Sequence, residues 1–288
     1  MFALDSDRTR LTELEKRHWR SSRPDCSPQK TPPTLYCLQC DVSDESSVAA
    51  AASAVGKLLS ELGAISPSLA GVHAIVNLAG VYGGGPLMEL DTAALEKVLS
   101  INTVGPHRVN QAFFPLLRRR ADDCHARLIN VASELSAVRL SPALTGPYAM
   151  SKWAVEAYSI ALRQELSVLE PPVDVTILRP GPILTELPLE HTVRGAEVHA
   201  KREGGSLWAD GLQAVIWATK QYAARNGVPP PALGALIARL VHARSPPMTA
   251  EFNVTPEMRL ASWMPQWLLD AVAKRTLRGP SQAKGKCS

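Results

Sequence analysis

The fold of this chain is most constrained by an alternation of short apolar segments with longer amphipathic ones. Strand-like patterns occur at "FALD", "TLYCLQCDV", "VHAIVNLAG", "RLINVAS" and "VDVTILRPG", and helical periodicities lie between them. Strands that alternate with helices pair in parallel, because a helical crossover brings the chain back to the same end of the sheet. The pattern therefore predicts an α/β protein built on a parallel sheet, with a further strand at "AEFNV".

Length and charge favour one domain without a nucleic-acid partner. The 288 residues are 45% hydrophobic and 20% charged, which suffices for one sizeable core, so we expect a single domain over residues 1–288. The net charge is only +4. The basic run Arg118-Arg119-Arg120 is more typical of a solvated helix end than of a nucleic-acid surface.

The five cysteines do not predict a disulfide framework, because their number is odd and their spacing irregular. Cys37 and Cys40 form one C-x-x-C motif within a predicted strand. Positions three apart on a strand face opposite ways, so we expect two buried thiols rather than a metal or redox site.

No segment predicts a membrane span, since none approaches the roughly 18 consecutive apolar residues that one requires. The first residues also lack the basic region and long apolar core of a signal peptide. We therefore expect a soluble, cytoplasmic protein. Trp263 and Trp267 lie in an amphipathic segment that is more typical of packing or a subunit contact than of a membrane anchor.

Tyr148 and Lys152 are candidates for proton transfer, because residues four apart at a helix start share one face. An ammonium beside a phenol favours the phenolate and lowers the phenol's pKa from about 10. Such a pair can act as a general acid/base on a hydroxyl group. The same spacing also occurs by chance on surface helices, so other positions must decide between the two interpretations.

The carboxyl ends of the predicted strands supply those positions, since ligands of parallel sheets bind there. Ser133 ends one strand, and Asn77, Ala79 and Gly80 follow another, with small residues that let a ligand approach the backbone. Pro180 and Gly181 follow a third strand, and Ile183 and Thr185 lie just beyond.

Pro106 marks a break in a predicted helix. It has no N–H, so the carbonyl of Asn102, four residues earlier, loses its helical partner. A freed carbonyl can hold a water molecule that passes protons to Lys152. The alternative is a kink without function.

These segments together resemble the short-chain dehydrogenase/reductase family of the single-domain type. The matching motifs are "CDVSD", "VNLAG", "INTVG", "NVAS", "YAMSK" and "RPGPILT", in the family's order over roughly residues 1–187. Residues 188–288 are more loosely similar to the retinol, hydroxysteroid and hydroxybutyrate dehydrogenase branch. The resemblance implies a Rossmann-like, doubly wound parallel sheet, with 1–187 as the core and 188–288 as the substrate-loop and C-terminal part.

The resemblance also implies roles for the candidate residues. Tyr148 would be the acid/base, Lys152 would lower its pKa and hold the nicotinamide ribose, and Ser133 would orient the substrate oxygen. Asn102 would support a water relay. Cofactor contacts are implied for Asp5, Asp41, Val42, Asn77, Ala79, Gly80, Tyr148, Lys152, Pro180, Gly181, Ile183 and Thr185. No metal site is implied.

NAD is the expected cofactor, with NADP as the alternative. Asp5 ends the segment that matches the family's second strand, where an acid hydrogen-bonds the adenosine ribose and repels a 2′-phosphate. Arg8 and Arg10 nearby weaken that preference.

One family feature is missing from the sequence. The family's first strand leads into T-G-x-x-x-G-x-G, whose glycines let the backbone approach the pyrophosphate. The 288 residues contain no such motif, and the glycines of "VYGGGP" follow a different strand, where we expect a flexible loop. We therefore expect that the first βα unit, roughly 25–30 residues, is absent, and that the natural chain starts earlier.

Three functions remain open from the sequence. The first is an NAD(P)-dependent oxidoreductase that acts on a secondary alcohol or ketone, with a lipophilic small molecule suggested by the moderately apolar loops. The second is a non-catalytic or truncated relative that serves as an interaction or regulatory protein. The third is an epimerase or lyase on the same fold. The resemblance favours the first, and it implies a homo-oligomer built partly on the helix over residues 148–169.

Overall fold

A computed structural model describes residues 1–21, 35–65, 70–118, 126–137, 141–185 and 206–278. The chain divides into two compact units. One contains Met1–Val72 and Gly105–Cys124, and the other contains His73–Val104 and His125–Ser288. The prediction of a single domain is not tested by this division and stays a prediction.

The described strands and helices follow the predicted alternation. The strands are β1 (Phe2–Asp5), β2 (Tyr36–Gln39), β3 (Ala74–Asn77), β4 (Ala126–Val131), β5 (Val173–Pro180) and β6 (Thr249–Phe252). The helices are α1 (Arg8–Ser21), α2 (Glu45–Ile65), α3 (Thr92–Leu99), α4 (Gly105–Leu117), α5 (Glu134–Ala137), α6 (Gly146–Leu166), α7 (Ala209–Asn226), α8 (Pro230–His242), α9 (Pro256–Ala261) and α10 (Gln266–Arg278). A π-helical turn, Ser100–Val104, lies between α3 and α4.

The first unit contains a two-stranded parallel sheet. β1 pairs with β2 in a register that places Phe2 opposite Tyr36, and the two rings stack with centroids 5.3 Å apart. Cys40, just after β2, is buried, whereas Cys37 is half-buried, so the prediction of two buried thiols is confirmed for Cys40 and only in part for Cys37.

Helix α2 is the longest apolar helix of the first unit. Asp44 caps it by accepting from the N–H of Ser46 at 2.8 Å, and its buried face includes Val48 and Val55. Length and composition alone would also allow α2 to cross a membrane, a property that core helices of soluble proteins share. The expectation that the chain has no membrane span therefore stays a prediction.

The second unit contains a four-stranded sheet in the order β3-β4-β5-β6, parallel throughout. The two central strands are its most buried elements. Ile129 and Leu178 are at most 1% exposed and pack with Leu233 and Leu240 of α8. Such two-sided burial explains why these strands read as continuous apolar runs in the sequence.

The carboxyl ends of β3, β4 and β5 lie in this second unit and lead directly to Asn77, Ser133 and Gly181. Parallel pairing places these ends at the same edge of the sheet. The sheet thereby gathers the second unit's predicted site segments. The predicted absence of the family's first βα unit stays a prediction.

Trp263 and Trp267 have exposed side chains, at 87% and 70% of their surface. They therefore do not pack into the described structure. A subunit contact at these residues stays a prediction.

Candidate active site

Helix α6 presents Tyr148 and Lys152 on one face, as the spacing predicted. The helix begins at Gly146, with Pro147 in its first turn, where a missing N–H costs nothing. The ammonium nitrogen of Lys152 lies 5.7 Å from the centroid of the Tyr148 ring. It also donates to the carbonyl oxygen of Val131 at 2.9 Å, which anchors the ammonium to the end of β4.

Ser133 lies beside this pair. It follows β4, it is 5% exposed, and its side chain hydrogen-bonds the Tyr148 phenol. Its hydroxyl also accepts from the N–H of Leu135 at 3.3 Å. The structure thus brings Ser133, Tyr148 and Lys152 together.

The pKa of the Tyr148 phenol is raised in this structure. Burial raises it, the hydrogen bond with Ser133 lowers it, and the charge of Glu134 raises it further, so the net direction is upward. The sequence predicted that Lys152 would lower this pKa. The net shift is upward, because desolvation of the phenolate outweighs the lowering by Ser133, and the contribution of Lys152 itself stays a prediction. The phenol is therefore protonated at neutral pH and can act as an acid.

Lys152 is buried as well, and burial lowers the pKa of its ammonium to about 8. Desolvation disfavours the charged form, which explains the direction. The ammonium is still mostly charged at neutral pH. It carries three N–H groups, one of which donates a hydrogen bond to the carbonyl of Val131.

Asn102 lies in the π-helical turn, which confirms a break in the helix before Pro106. Its side chain is 1% exposed and makes three hydrogen bonds: it accepts from the N–H of Val81 at 2.7 Å, and it donates to the carbonyl of Val81 at 2.8 Å and to Ser151 Oγ at 2.9 Å. The side chain therefore ties the loop after β3 to α6. A water relay through the backbone carbonyl of Asn102 stays a prediction.

Gly80 lies against both Asn102 and Lys152. A Cβ atom added there would lie 3.3 Å from Asn102 Oδ1 and 3.6 Å from Lys152 Nζ. The missing side chain leaves the backbone open beside the ammonium, which suits a ligand that must approach it closely. Ala79 is exposed, whereas the Asn77 amide is buried and donates to Asn130 Oδ1 at 2.8 Å.

The segment after β5 is held by β6 and by the residues that follow α7. Gly181 donates its N–H to the carbonyl of Phe252 at 2.7 Å, and Ile183 forms a parallel bridge with Val228. Pro180 is the last residue of β5, and Thr185 is exposed. These four predicted cofactor contacts thus follow one strand end of the second unit.

Asp5, Asp41 and Val42 lie in the first unit. Asp5 Oδ1 accepts from the N–H of Asp7 at 2.8 Å, and Asp41 Oδ1 accepts from the N–H of Ser43 at 2.8 Å. The carbonyl of Val42 accepts from Arg108 at 3.3 Å. The cofactor contacts predicted for these three residues stay predictions.

Two residues near Tyr148 were not predicted. The Tyr82 ring lies 4.7 Å from the Tyr148 ring, centroid to centroid, and its loop is held by a hydrogen bond from Gly85 to Leu144 at 2.7 Å. Glu134 is 6% exposed and directly follows Ser133. The available signals were a tyrosine in "VYGGGP" and an acid inside the apolar segment "VASEL".

Comparisons with known proteins point to one family. The family model described as short chain dehydrogenase matches residues 26–192. Human retinol dehydrogenase 5 is 30% identical over 263 residues, which cover 86% of this chain and 76% of that protein. The 3beta-hydroxysteroid dehydrogenase dhs-16 of Caenorhabditis elegans is 35% identical over 154 residues, which cover 53% of this chain but only 36% of that protein.

A solved structure shows the same fold. A short chain dehydrogenase/reductase from Burkholderia phymatum, crystallised in complex with NAD, matches 94% of this chain and 85% of its own, with a TM-score of 0.66 and 19% identity. Together with the parallel sheets and their helices, this likeness confirms the predicted α/β, Rossmann-like fold class.

Proposed function

We propose, since this chain belongs to the short-chain dehydrogenase family as its motifs predicted, that it transfers a hydride between a nicotinamide dinucleotide and the carbon of a secondary alcohol or ketone. Tyr148 is the acid/base of this reaction. The observation that carries the proposal is the cluster of Ser133, Tyr148 and Lys152. In it, the phenol of the half-buried Tyr148 hydrogen-bonds a hydroxyl and lies beside an ammonium.

The residues of the second unit fit the nicotinamide side of such a cofactor. Gly80 leaves space that a Cβ atom would fill. Lys152 has N–H groups besides the one that donates to the carbonyl of Val131. We assign Lys152 to the ribose hydroxyls, Gly80 to the ribose side, and Gly181 and Thr185 to the nicotinamide. The cofactor, when bound, supplies or accepts the hydride at C4 of its nicotinamide ring.

The protein's own groups handle the proton. Tyr148 is protonated at neutral pH, because burial raises the pKa of its phenol, and it donates that proton to the substrate oxygen during reduction. Ser133 donates a second hydrogen bond to the same oxygen. Lys152, anchored on Val131, stabilises the phenolate that remains.

NAD is the proposed cofactor, with NADP as the alternative. The support is Asp5 at the carboxyl end of β1, where its carboxylate would meet the ribose hydroxyls and repel a 2′-phosphate. The Burkholderia phymatum relative was crystallised with NAD.

A lipophilic alcohol or ketone is the proposed substrate class. The support comes from the names of two relatives, a retinol dehydrogenase and a hydroxysteroid dehydrogenase. A homo-oligomer built on α6 is supported by three exposed apolar side chains on one face of that helix, Met150, Trp153 and Ile160.

The test is an activity assay on the purified chain. NADH or NADPH is mixed with apolar ketones, and oxidation of the nicotinamide is followed by absorbance. Ketone-dependent oxidation that the Tyr148→Phe variant loses would support the proposal. Cofactor binding without turnover of any alcohol or ketone would favour the non-catalytic alternative, and turnover without net oxidation would favour an epimerase or lyase.

A further inference from the structure

We propose that Glu134 is a positioning residue for this reaction, which clamps the ends of β4 and β5 to the C-terminal part of the chain and so holds Ser133 and Tyr148 in place. The inference rests on the proposed function. It starts from a buried carboxyl group that the proton-transfer mechanism does not use.

The carboxyl group of Glu134 has partners far away in the chain. The Tyr222 hydroxyl lies 3.1 Å from each of its oxygens, and this hydroxyl is also 3.0 Å from Thr255 Oγ1. The backbone N–H of Thr255 hydrogen-bonds the same carboxyl group. Tyr222 belongs to α7, and Thr255 is the residue that caps α9.

The carboxyl group also contacts the segment after β5. A Cβ atom added at Gly181 would lie 3.0 Å from Glu134 Oε2. Because Gly181 lacks that atom, the carboxyl group packs directly against its backbone. One side chain therefore meets the strand end that carries Gly181, the helix α7 and the start of α9, while its own backbone continues from Ser133.

This arrangement has an energetic cost. Among the described residues Glu134 forms no ion pair, and burial raises the pKa of its carboxyl group to about 7, against the lowering by the Tyr222 and Thr255 hydrogen bonds. A buried carboxyl without a cation destabilises a fold. Groups that carry such a cost occur preferentially at functional sites.

The charge of Glu134 also reaches the reacting phenol. It is one of the causes that raise the pKa of Tyr148, after burial. Three other titratable groups lie here among the described residues. Lys152 lies beside the Tyr148 ring, Tyr222 hydrogen-bonds Glu134, and the charge of Glu257 raises the pKa of Tyr222. A neutral side chain at position 134 should therefore lower the pKa of Tyr148 and leave Ser133 less well placed.

The experiment compares the full chain with its Glu134→Gln variant, which keeps the size of the side chain. We expect kcat for ketone reduction to fall roughly tenfold, the effect of one lost buried hydrogen bond at the site, while the KM for NADH changes less than about twofold. The alkaline limb of the kcat/KM pH profile should shift to lower pH.

A second variant tests the partner of Glu134. Tyr222→Phe removes one hydrogen-bond donor to Glu134 and keeps the ring, so it should lower kcat as well. Glu165→Gln, an exposed acid on α6, is the matched control.

A second readout separates this inference from the proposed function. Ionisation of tyrosine is followed by absorbance as pH rises, and the difference between the wild type and Tyr148→Phe gives the pH at which Tyr148 is half ionised. This midpoint can be measured even in a chain without turnover. The midpoint should be lower in Glu134→Gln. If the wild-type chain reduces no ketone, the proposed function fails and this midpoint decides the inference. An unchanged midpoint, or a variant whose kcat and pH profile equal those of the wild type, overturns it.

Discussion

The ammonium nitrogen of Lys152 lies 5.7 Å from the centroid of the Tyr148 ring and is held there by the carbonyl of Val131. A cation is thereby fixed beside a phenol at the end of a buried strand. Compared with water, burial makes the phenol a weaker acid and the ammonium a stronger acid. The pair is suited to give a proton to a carbonyl oxygen and then to stabilise the phenolate.

Replacing Tyr148 by Phe removes the proton donor and keeps the ring that packs on Tyr82. We expect turnover to fall by roughly 10²–10⁴-fold, the usual contribution of a general acid, with cofactor affinity largely unchanged. Steady-state kinetics and NADH titration measure the two effects. Tyr36→Phe, whose ring stacks on Phe2, serves as the control. A Tyr148→Phe variant with near-normal rates would remove this residue as the acid/base.

Replacing Gly181 by Ala should destabilise the protein. The new Cβ atom would collide with the backbone of Asn253, lying 2.8 Å from its carbonyl carbon. We expect a loss of roughly 1–3 kcal/mol in the free energy of unfolding, as for other overpacked sites. Gly234→Ala in α8 is the matched control, because a Cβ there meets nothing within 4 Å; helix propensity should make it about 0.5–1 kcal/mol more stable. Urea unfolding of both variants checks the prediction, which equal effects would contradict.

The stability of the chain should depend on pH through Glu134. Its folded pKa is raised from 4.5 to about 7, so the folded state binds more protons than the unfolded state between these values. The free energy of unfolding should therefore fall as pH rises from about 4.5 to about 7, by up to roughly 3 kcal/mol from this group. Glu134→Gln removes this contribution. Urea unfolding at pH 5 and pH 8 should show the variant gaining stability over the wild type at the higher pH. A difference in the free energy of unfolding that does not change with pH would refute the raised pKa of Glu134.

Replacing Asp5 by Asn should change cofactor preference. The variant loses the negative charge but keeps the side-chain oxygen that accepts from the N–H of Asp7. Repulsion of a 2′-phosphate disappears, so the use of NADPH should rise relative to NADH. The ratio of the two kcat/KM values measures the change. A ratio equal to that of the wild type would mean that Asp5 does not contact the ribose.

Local patterns predicted the elements that position the site. Periodicity and flanking turn residues located β3, β4, β5 and α6, and the spacing of Tyr148 and Lys152 placed both on one face. Such features depend on neighbours within a few residues of the chain. Sequence reasoning therefore reached the candidate residues and the fold class.

Long-range contacts limited how much of the chemistry of the site residues could be predicted from the sequence. The pKa of Tyr148 follows from burial, which depends on the folded surroundings rather than on the lysine four residues away. Glu134 meets Tyr222 across 88 residues of sequence. The side chain of Asn102 likewise holds Val81, 21 residues earlier, so its role extends beyond the carbonyl that Pro106 frees.

The proposed reaction requires that this chain binds a nicotinamide dinucleotide beside Tyr148 and Lys152. A titration of the 288-residue chain with NADH, followed by nicotinamide fluorescence or calorimetry, measures this binding. We expect saturable binding near micromolar Kd, about −8 kcal/mol, which a Lys152→Met variant weakens. Absence of binding by a chain shown to be folded would rule out the proposed function.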